Sequence, residues 1–302
     1  MTTKASAIVI AGRRLRLANL DKVFYPATGT TKGQVVEYYR QIAPLLLRHL
    51  RDYPLTLKRY PDGVEGGSFY EKRCPSHRPE WVATADDPAA SRPLAYCLVK
   101  DEATLVWVAN LASIELHVLL SRAQDIDTPT MMVFDLDPGA PAGLLECVEV
   151  ALLMRDMLQG VGLESFPKSS GGKGLHFYVP LNTPATFEQT KQFARTVAQT
   201  VERRFPQTVT SSMSKALRPG KVFIDWSQND RHKTTVCVYS LRAREQPTVS
   251  TPLKWRELEE ALRRKDPAGL VWDYQRLLQR VGKEGDLFEP VQTLRQRLPG
   301  QR

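Results

Sequence analysis

An α+β fold is the architecture this sequence predicts, on three observations. Two apolar, β-prone runs, Met131–Phe134 and Lys221–Ile224, each lead into acidic residues. Several stretches carry a helical spacing of apolar side chains. Strands and helices then interleave without a regular β-α-β period, which disfavours a doubly wound sheet.

Taken in order, Val35, Val36, Tyr39, Ile42 and Leu46 space out a helix over 32–50, and Leu55–Tyr60 reads as a strand. Pro61-Asp62-Gly63-Val64-Glu65-Gly66-Gly67 is turn-forming. Residues 104–120 are a continuous apolar stretch ending in Glu115-Leu116-His117-Val118. A helix from about Leu144 to Gln159 stops at Gly160. A loop from Phe166 feeds a strand through Val179, and Thr186 with Gln189 forms a capping box for a helix to about Phe205. Thr234–Tyr239 reads as β, and amphipathic helices near 252–265 and 267–281 finish the chain.

At 302 residues with 42% hydrophobic content, the chain can bury a packed core, and global disorder is excluded. Lys and Arg number 42 against 33 Asp and Glu, a net charge of +9. That excess points to a polyanionic partner, nucleic acid ahead of a membrane surface, because no basic amphipathic helix stands out. Met1–Ser6 has no long apolar signal region and no apolar run reaches 18 residues, so the expectation is a soluble, cytoplasmic protein. The four cysteines (Cys74, Cys97, Cys147 and Cys237) lie far apart without a C-x-x-C and read as reduced thiols. Cys74 and His77 have zinc-ligand spacing but lack a second pair.

The chemistry concentrates on three carboxylates. Asp135 and Asp137 alternate with Leu136 on a strand, so both point to the same face. Carboxylates this close repel each other unless protons or a cation balance them. Hard oxygen donors suit Mg²⁺ or Mn²⁺, and Asp225, from a second strand, completes a set fit for two ions.

Around them lie groups suited to phosphate. Ser169-Ser170-Gly171-Gly172-Lys173-Gly174 resembles an anion cradle in which backbone amides converge, Ser170 donates a hydroxyl and Lys173 a charge; it is not a Walker A loop. His176, on the strand leaving this loop, either bonds phosphate or is a satisfied core histidine, and His117, in its apolar run, has a structural reading as well. Arg242 and Arg244 fall on one face of an extended segment, where guanidinium forks suit phosphate oxygens. Lys32 opens the 32–50 helix, where the dipole and free N–H groups favour a phosphate. Phe69 follows the glycine loop at 61–67, placed to stack on a base.

In combination, Asn19-Leu20-Asp21-Lys22 with Tyr25-Pro26, Phe134–Gly139, Ser170–His176, Ile224–Asn229 and Tyr239–Arg244 resemble the polymerase domain of bacterial LigD. That is the primase-like module of the non-homologous end-joining ligase, within the archaeo-eukaryotic primase superfamily. The resemblance runs in order from Asn19 to about Leu253. It implies a single primase-polymerase domain over 1–302 with an RRM-like catalytic core sheet. About 1–100 would form a packed, DNA-end-binding N-terminal portion, and 101–302 the catalytic core and C-terminal helices. Asp135, Asp137 and Asp225 would be catalytic and bind two Mn²⁺ or Mg²⁺ ions. Ser170, Gly172, Lys173, His176, His117, Arg242, Arg244 and Lys58 would surround an incoming NTP or dNTP. Asn19, Lys22 and Lys32 would hold a downstream DNA 5′-phosphate, and Phe69 would stack on a base. The activity implied is nucleotide addition, with ribonucleotides preferred, to primer 3′ ends at gaps and double-strand breaks. The partners implied are gapped or broken DNA, ligase and nuclease domains of the same polypeptide and a Ku-like end-binding protein. Glu245-Gln246-Pro247 departs from the family's small Pro/Gly-rich turn.

Two other readings compete. A strand ending in Asp-x-Asp is also the nucleophile motif of haloacid-dehalogenase-like phosphatases, but Pro138-Gly139 replaces the glycine and threonine expected there. A catalytically silent DNA-end-binding module is the non-enzymatic alternative, against which the three intact aspartates argue.

Overall fold

The computed structural model describes residues 5–300, and the fold is α+β. The chain forms two compact units. One comprises the described residues through Leu119 with Val236–Val249 and Asp273–Gly285. The other comprises Leu120–Thr235, Ser250–Trp272 and the segment from Asp286 onward.

The first unit opens with a hairpin of β1 (Ala5–Ile10) and β2 (Arg13–Ala18), followed by the short strands β3 (Val23–Tyr25) and β4 (Thr30–Thr31). Helix α1 (Lys32–Leu50) starts where its sequence says it should: Thr31 accepts from the Gln34 amide while Gln34 accepts from the Thr31 amide. Its apolar stripe, Val35, Val36, Tyr39, Ile42 and Leu46, is buried. Strand β5 (Leu55–Arg59) pairs with β6 (Phe69–Glu71), β8 (Ala95–Cys97) and β9 (Ser113–Val118), and β7 (Thr84–Asp86) pairs with β8. The apolar stretch 104–120 divides: α2 (Glu102–Asn110) is capped by Asp101, and β9 follows with every residue buried. A continuous apolar run carries no period of its own, so the division was not readable from spacing.

Cys74 and Cys97 form a disulfide, their Cα atoms 4.8 Å apart, which corrects the expectation of four reduced thiols. The pairing of β8 with β5 and β7, together with the hydrogen bond from the Cys74 amide to the Ala95 carbonyl, brings the two together across 23 residues of sequence. Cys147 and Cys237 are buried and lie outside any disulfide.

The second unit is built on a sheet ordered β13–β14–β12–β16–β15: β13 (Phe166–Ser169), β14 (Leu175–Pro180), β12 (Met131–Pro138), β16 (Val222–Asp225) and β15 (Val209–Thr210). All pairs are antiparallel except β15 with β16. The small hairpin β10 (Ser121–Arg122) and β11 (Asp125–Pro129) precedes it. Alternation assigns the faces. Met132, Phe134 and Leu136 of β12 join Leu175, Phe177, Val179, Val222 and Ile224 in the core beneath α3 (Leu144–Gln159), α4 (Phe187–Arg204) and α5 (Trp255–Arg264). The opposite face carries buried Met131, Val133, Tyr178 and Phe223 together with Asp135, Asp137, His176 and Asp225.

Candidate active site

Strand register on the aspartate-bearing face of the second unit determines what meets there. Asp135 lies opposite His176 of β14 on one side and opposite Asp225 of β16 on the other. Asp137, two residues along, shares the face. Asp135 is half-buried and Asp137 exposed. The carboxylates thus gather on adjacent strands, as the alternation predicts. His176 Nε2 lies 3.1 Å from Asp135 Oδ1. Asp225 Oδ1 accepts from the amide and hydroxyl of Ser227, and its Oδ2 accepts from Gln228 Nε2 at 3.0 Å. Beneath them the buried Cys147 thiol is pushed well up, by burial first and then by the charges of Asp137 and Asp135.

Gly174 is required at the start of β14: a Cβ there would stand 2.1 Å from the Leu136 carbonyl oxygen. The loop before it adopts its turn through Gly171, at φ +67. Its hydrogen bonding differs from a simple amide cradle. The amides of Gly172 and Gly174 donate to Ser170 Oγ at 3.1 and 3.3 Å, so they hold the hydroxyl rather than awaiting an anion. Ser170 itself is buried, and Lys173 is exposed.

In donor chemistry, Asp135, Asp137 and Asp225 fit a hard divalent cation. Among the described residues, however, no three Asp, Glu, His or Cys side chains converge tightly enough to form a cation cage. Asp225 instead faces Ser227 and Gln228.

A second polar cluster lies in the first unit, centred on Glu115, which is 2% exposed. Lys58 of β5 sits opposite Glu115 of β9 in register, with Tyr70 of β6 on its other side. Lys58 Nζ is 3.6 Å and Arg242 Nε 3.4 Å from the carboxylate. Tyr60 Oη and the Ala243 amide each donate to it at 3.1 Å, and His117 Nε2 lies 3.0 Å away. Burial alone would raise the Glu115 pKa. The His117 hydrogen bond, Arg242 and Lys58 outweigh it and hold the carboxyl well below its ordinary range. Burial likewise lowers His117 against the pull of Glu115. Arg242 and Arg244 do not share a face: Tyr239 at φ +64 turns the chain, Arg242 is directed to Glu115, and Arg244 is exposed. The extended segment predicted there is interrupted between the two arginines, where the Arg244 amide bonds back to the Arg242 carbonyl at 3.0 Å.

The same unit carries the lysines. Lys32 is buried and donates to the Ala18 carbonyl at 2.7 Å, and Lys22 donates to Pro61 O and Asp62. Asn19, at φ +57, begins the turn that the Lys22 amide closes onto its carbonyl. The first amides of α1 are engaged: Lys32 N with Lys22 O, Gly33 N with Leu20 O and Gln34 N with Thr31. The attraction for an anion therefore rests on side-chain charge more than on free helix amides. Burial, then Lys22 and Arg59, depress the Lys32 pKa to about 8. Arg59 is fixed by Glu71 and the Leu111 carbonyl and lies 5.3 Å from the exposed Phe69 ring.

Residues 31–288 match the model of the LigD primase-polymerase domain. The chain belongs to that family. Its members are polymerase-type nucleotidyltransferases. The chain is 41% identical over 285 residues to the multifunctional non-homologous end-joining DNA repair protein LigD of Mycobacterium tuberculosis, covering 92% of this chain and 37% of that protein. It is 42% identical over 280 residues to LigD of Mycolicibacterium smegmatis, covering 92% and 36%. To the bifunctional LigD of Bacillus subtilis it is 31% identical over 276 residues, covering 91% and 44%. The polymerase domain of M. tuberculosis ligase D, solved in complex with DNA, superposes at a TM-score of 0.86 with 40% identity, covering 94% of this chain and 99% of that one. The chain thus spans well under half the length of these curated relatives. Membership in the LigD polymerase family sets the dehalogenase-like phosphatase reading aside. No helix among the described residues is long and apolar enough to cross a membrane.

Sequence reasoning missed three residues. Lys168 is fully buried on β13 opposite His176. Glu115 organises Lys58, His117 and Arg242, and Arg59 adds a third cation near Lys32. Glu115 had a usable signal, since an acidic residue inside a buried run needs partners. Lys168, in an unpatterned Phe-Pro-Lys-Ser stretch, had none.

Proposed function

We propose that this chain is a metal-dependent nucleotidyltransferase that adds nucleotides, ribonucleotides in preference, to primer 3′ ends, filling gaps and extending broken DNA ends in bacterial non-homologous end joining. The observation that carries the reading is the placement of Asp135, Asp137 and Asp225 on one face of two adjacent strands in a LigD-family polymerase domain. In this reading the three aspartates hold two Mn²⁺ or Mg²⁺ ions. When bound, the ions activate the primer hydroxyl and stabilise the leaving pyrophosphate.

The chain's own groups supply positioning and electrostatics. Ser170 Oγ is held in place by two loop amides, and its hydroxyl is the group that would donate to a phosphate oxygen. Lys173 brings a mobile positive charge. Glu115 fixes Arg242, Lys58 and His117 as one prearranged group, so their orientation is set before a nucleotide arrives. Asn19, Lys22, Lys32 and Arg59 form a separate basic site for a 5′-phosphate, and Phe69 offers an exposed ring for a base. In the longer polypeptide, ligase and nuclease domains and a Ku-like protein are the partners this role calls for.

Asp135→Ala and Asp225→Ala should abolish nucleotide addition on gapped DNA while DNA affinity stays within about twofold. Retained addition in either variant with metal present would remove the assignment. Loss of DNA binding in parallel would favour an end-binding role for these residues instead.

A further inference from the structure

Lys168 has no part in the activity proposed above, yet it is among the largest fully buried side chains of the protein. Lysine is almost never buried without partners, because its ammonium loses hydration. Its Nζ lies 2.6 Å from Ser250 Oγ, 3.2 Å from His176 Nδ1 and 5.5 Å from the centre of the Tyr178 ring. Register explains the alignment: Lys168 of β13 is opposite His176 of β14, and His176 is opposite Asp135 of β12. Three chemically different side chains thus form one row across three strands.

The direction of the hydrogen bonds follows from what each group can do. Ser250 Oγ donates to the Ser169 carbonyl at 3.2 Å, so its lone pairs receive Lys168. An ammonium has donors only, so His176 Nδ1 accepts and the ring proton sits on Nε2. That proton points at Asp135 Oδ1, 3.1 Å away. Partners that fix a ring tautomer and orient a metal-binding carboxylate typically matter 10- to 100-fold for metal affinity.

We propose that Lys168 is a positioning residue: it locks His176 in the Nε2–H tautomer, so that the ring donates to Asp135 and presets that carboxylate for a divalent cation. The inference rests on the reading that Asp135 binds metal. Replacing Lys168 by an apolar side chain removes the donor at Nδ1, so that the ring is no longer held from both sides and can turn away from Asp135.

The test is ¹⁵N–¹H NMR of the histidine rings in the full chain, with His176 assigned by its absence in His176→Gln, alongside Mn²⁺ titration followed by electron paramagnetic resonance. In the unsubstituted protein His176 should carry its proton on Nε2. In Lys168→Met the Nε2–H hydrogen bond to Asp135 should loosen, seen as a shifted and broadened His176 Nε2–H signal, with Mn²⁺ affinity lowered about tenfold. A proton on Nδ1 in the unsubstituted protein overturns the proposal without any variant being needed. So does an unchanged Nε2–H signal, or an unchanged Mn²⁺ affinity, in folded Lys168→Met. If the unsubstituted protein binds Mn²⁺ no better than Asp135→Ala, the metal-site reading itself fails; the tautomer result then stands apart from it.

Discussion

Replacing Glu115 by Gln keeps the shape of the side chain and removes its charge. The carboxylate lies 3.4 Å from Arg242 and 3.6 Å from Lys58. At an effective dielectric of about 20, each pair represents roughly 4–5 kcal/mol of gross attraction. Much of that is offset by the desolvation already incurred by the carboxylate. What remains visible on removing one partner of a buried ion pair is about 3–5 kcal/mol. Glu115 is 2% exposed and accepts two further hydrogen bonds at Oε1, from Tyr60 and Ala243, both of which an amide oxygen there can keep. Arg242 and Lys58 retain some solvent contact, at 13% and 21% side-chain exposure, which places the expected loss near the lower limit, about 3 kcal/mol. Urea unfolding followed by tryptophan fluorescence measures it, and nucleotide KM reads the loosened Arg242. A loss below about 1 kcal/mol with unchanged KM would refute Glu115 as the organiser of this cluster.

Lys32 gives a pH dependence. Its pKa is about 8 in the fold against 10.5 ordinarily, so between those values the folded protein has released a proton that the unfolded chain keeps; this group therefore adds stability as pH rises from 8 to 10.5. A 5′-phosphate prefers the ammonium, so the affinity ratio of gapped DNA with and without that phosphate should fall between pH 7 and 9.5, and be flat in Lys32→Met. Gly174→Ala drives a Cβ to 2.1 Å from the Leu136 carbonyl and should cost about 3 kcal/mol in urea unfolding, with activity lost through displacement of β12. Thiol titration of the denatured, unreduced protein should find two reactive thiols, Cys147 and Cys237, whereas four would contradict the Cys74–Cys97 bond.

Much of the fold was legible because local rules and tertiary packing agree. The Thr31–Gln34 and Thr186–Gln189 capping boxes begin helices where the sequence placed them. The strand period alone predicted that Asp135 and Asp137 share a face with Leu136 turned into the core. What escaped were pairings set at long range. Glu115 acquires Arg242 from 127 residues away through a turn at Tyr239 that only the tertiary structure dictates. Lys168 looks like a solvated lysine until β14 brings His176 alongside and Ser250 closes over it. The cysteines gave no spacing signal because a loop folded against β8, with the Cys74 amide on the Ala95 carbonyl, and not a motif, brings them together.

The most direct test of the central claim is extension of a labelled primer on gapped, 5′-phosphorylated DNA, titrated with Mn²⁺ and supplied with ribonucleotides or deoxynucleotides, beside Asp135→Ala/Asp137→Ala. Metal-dependent addition that favours ribonucleotides and disappears in the double variant is the predicted result. Tight DNA binding without addition at any metal concentration would contradict it.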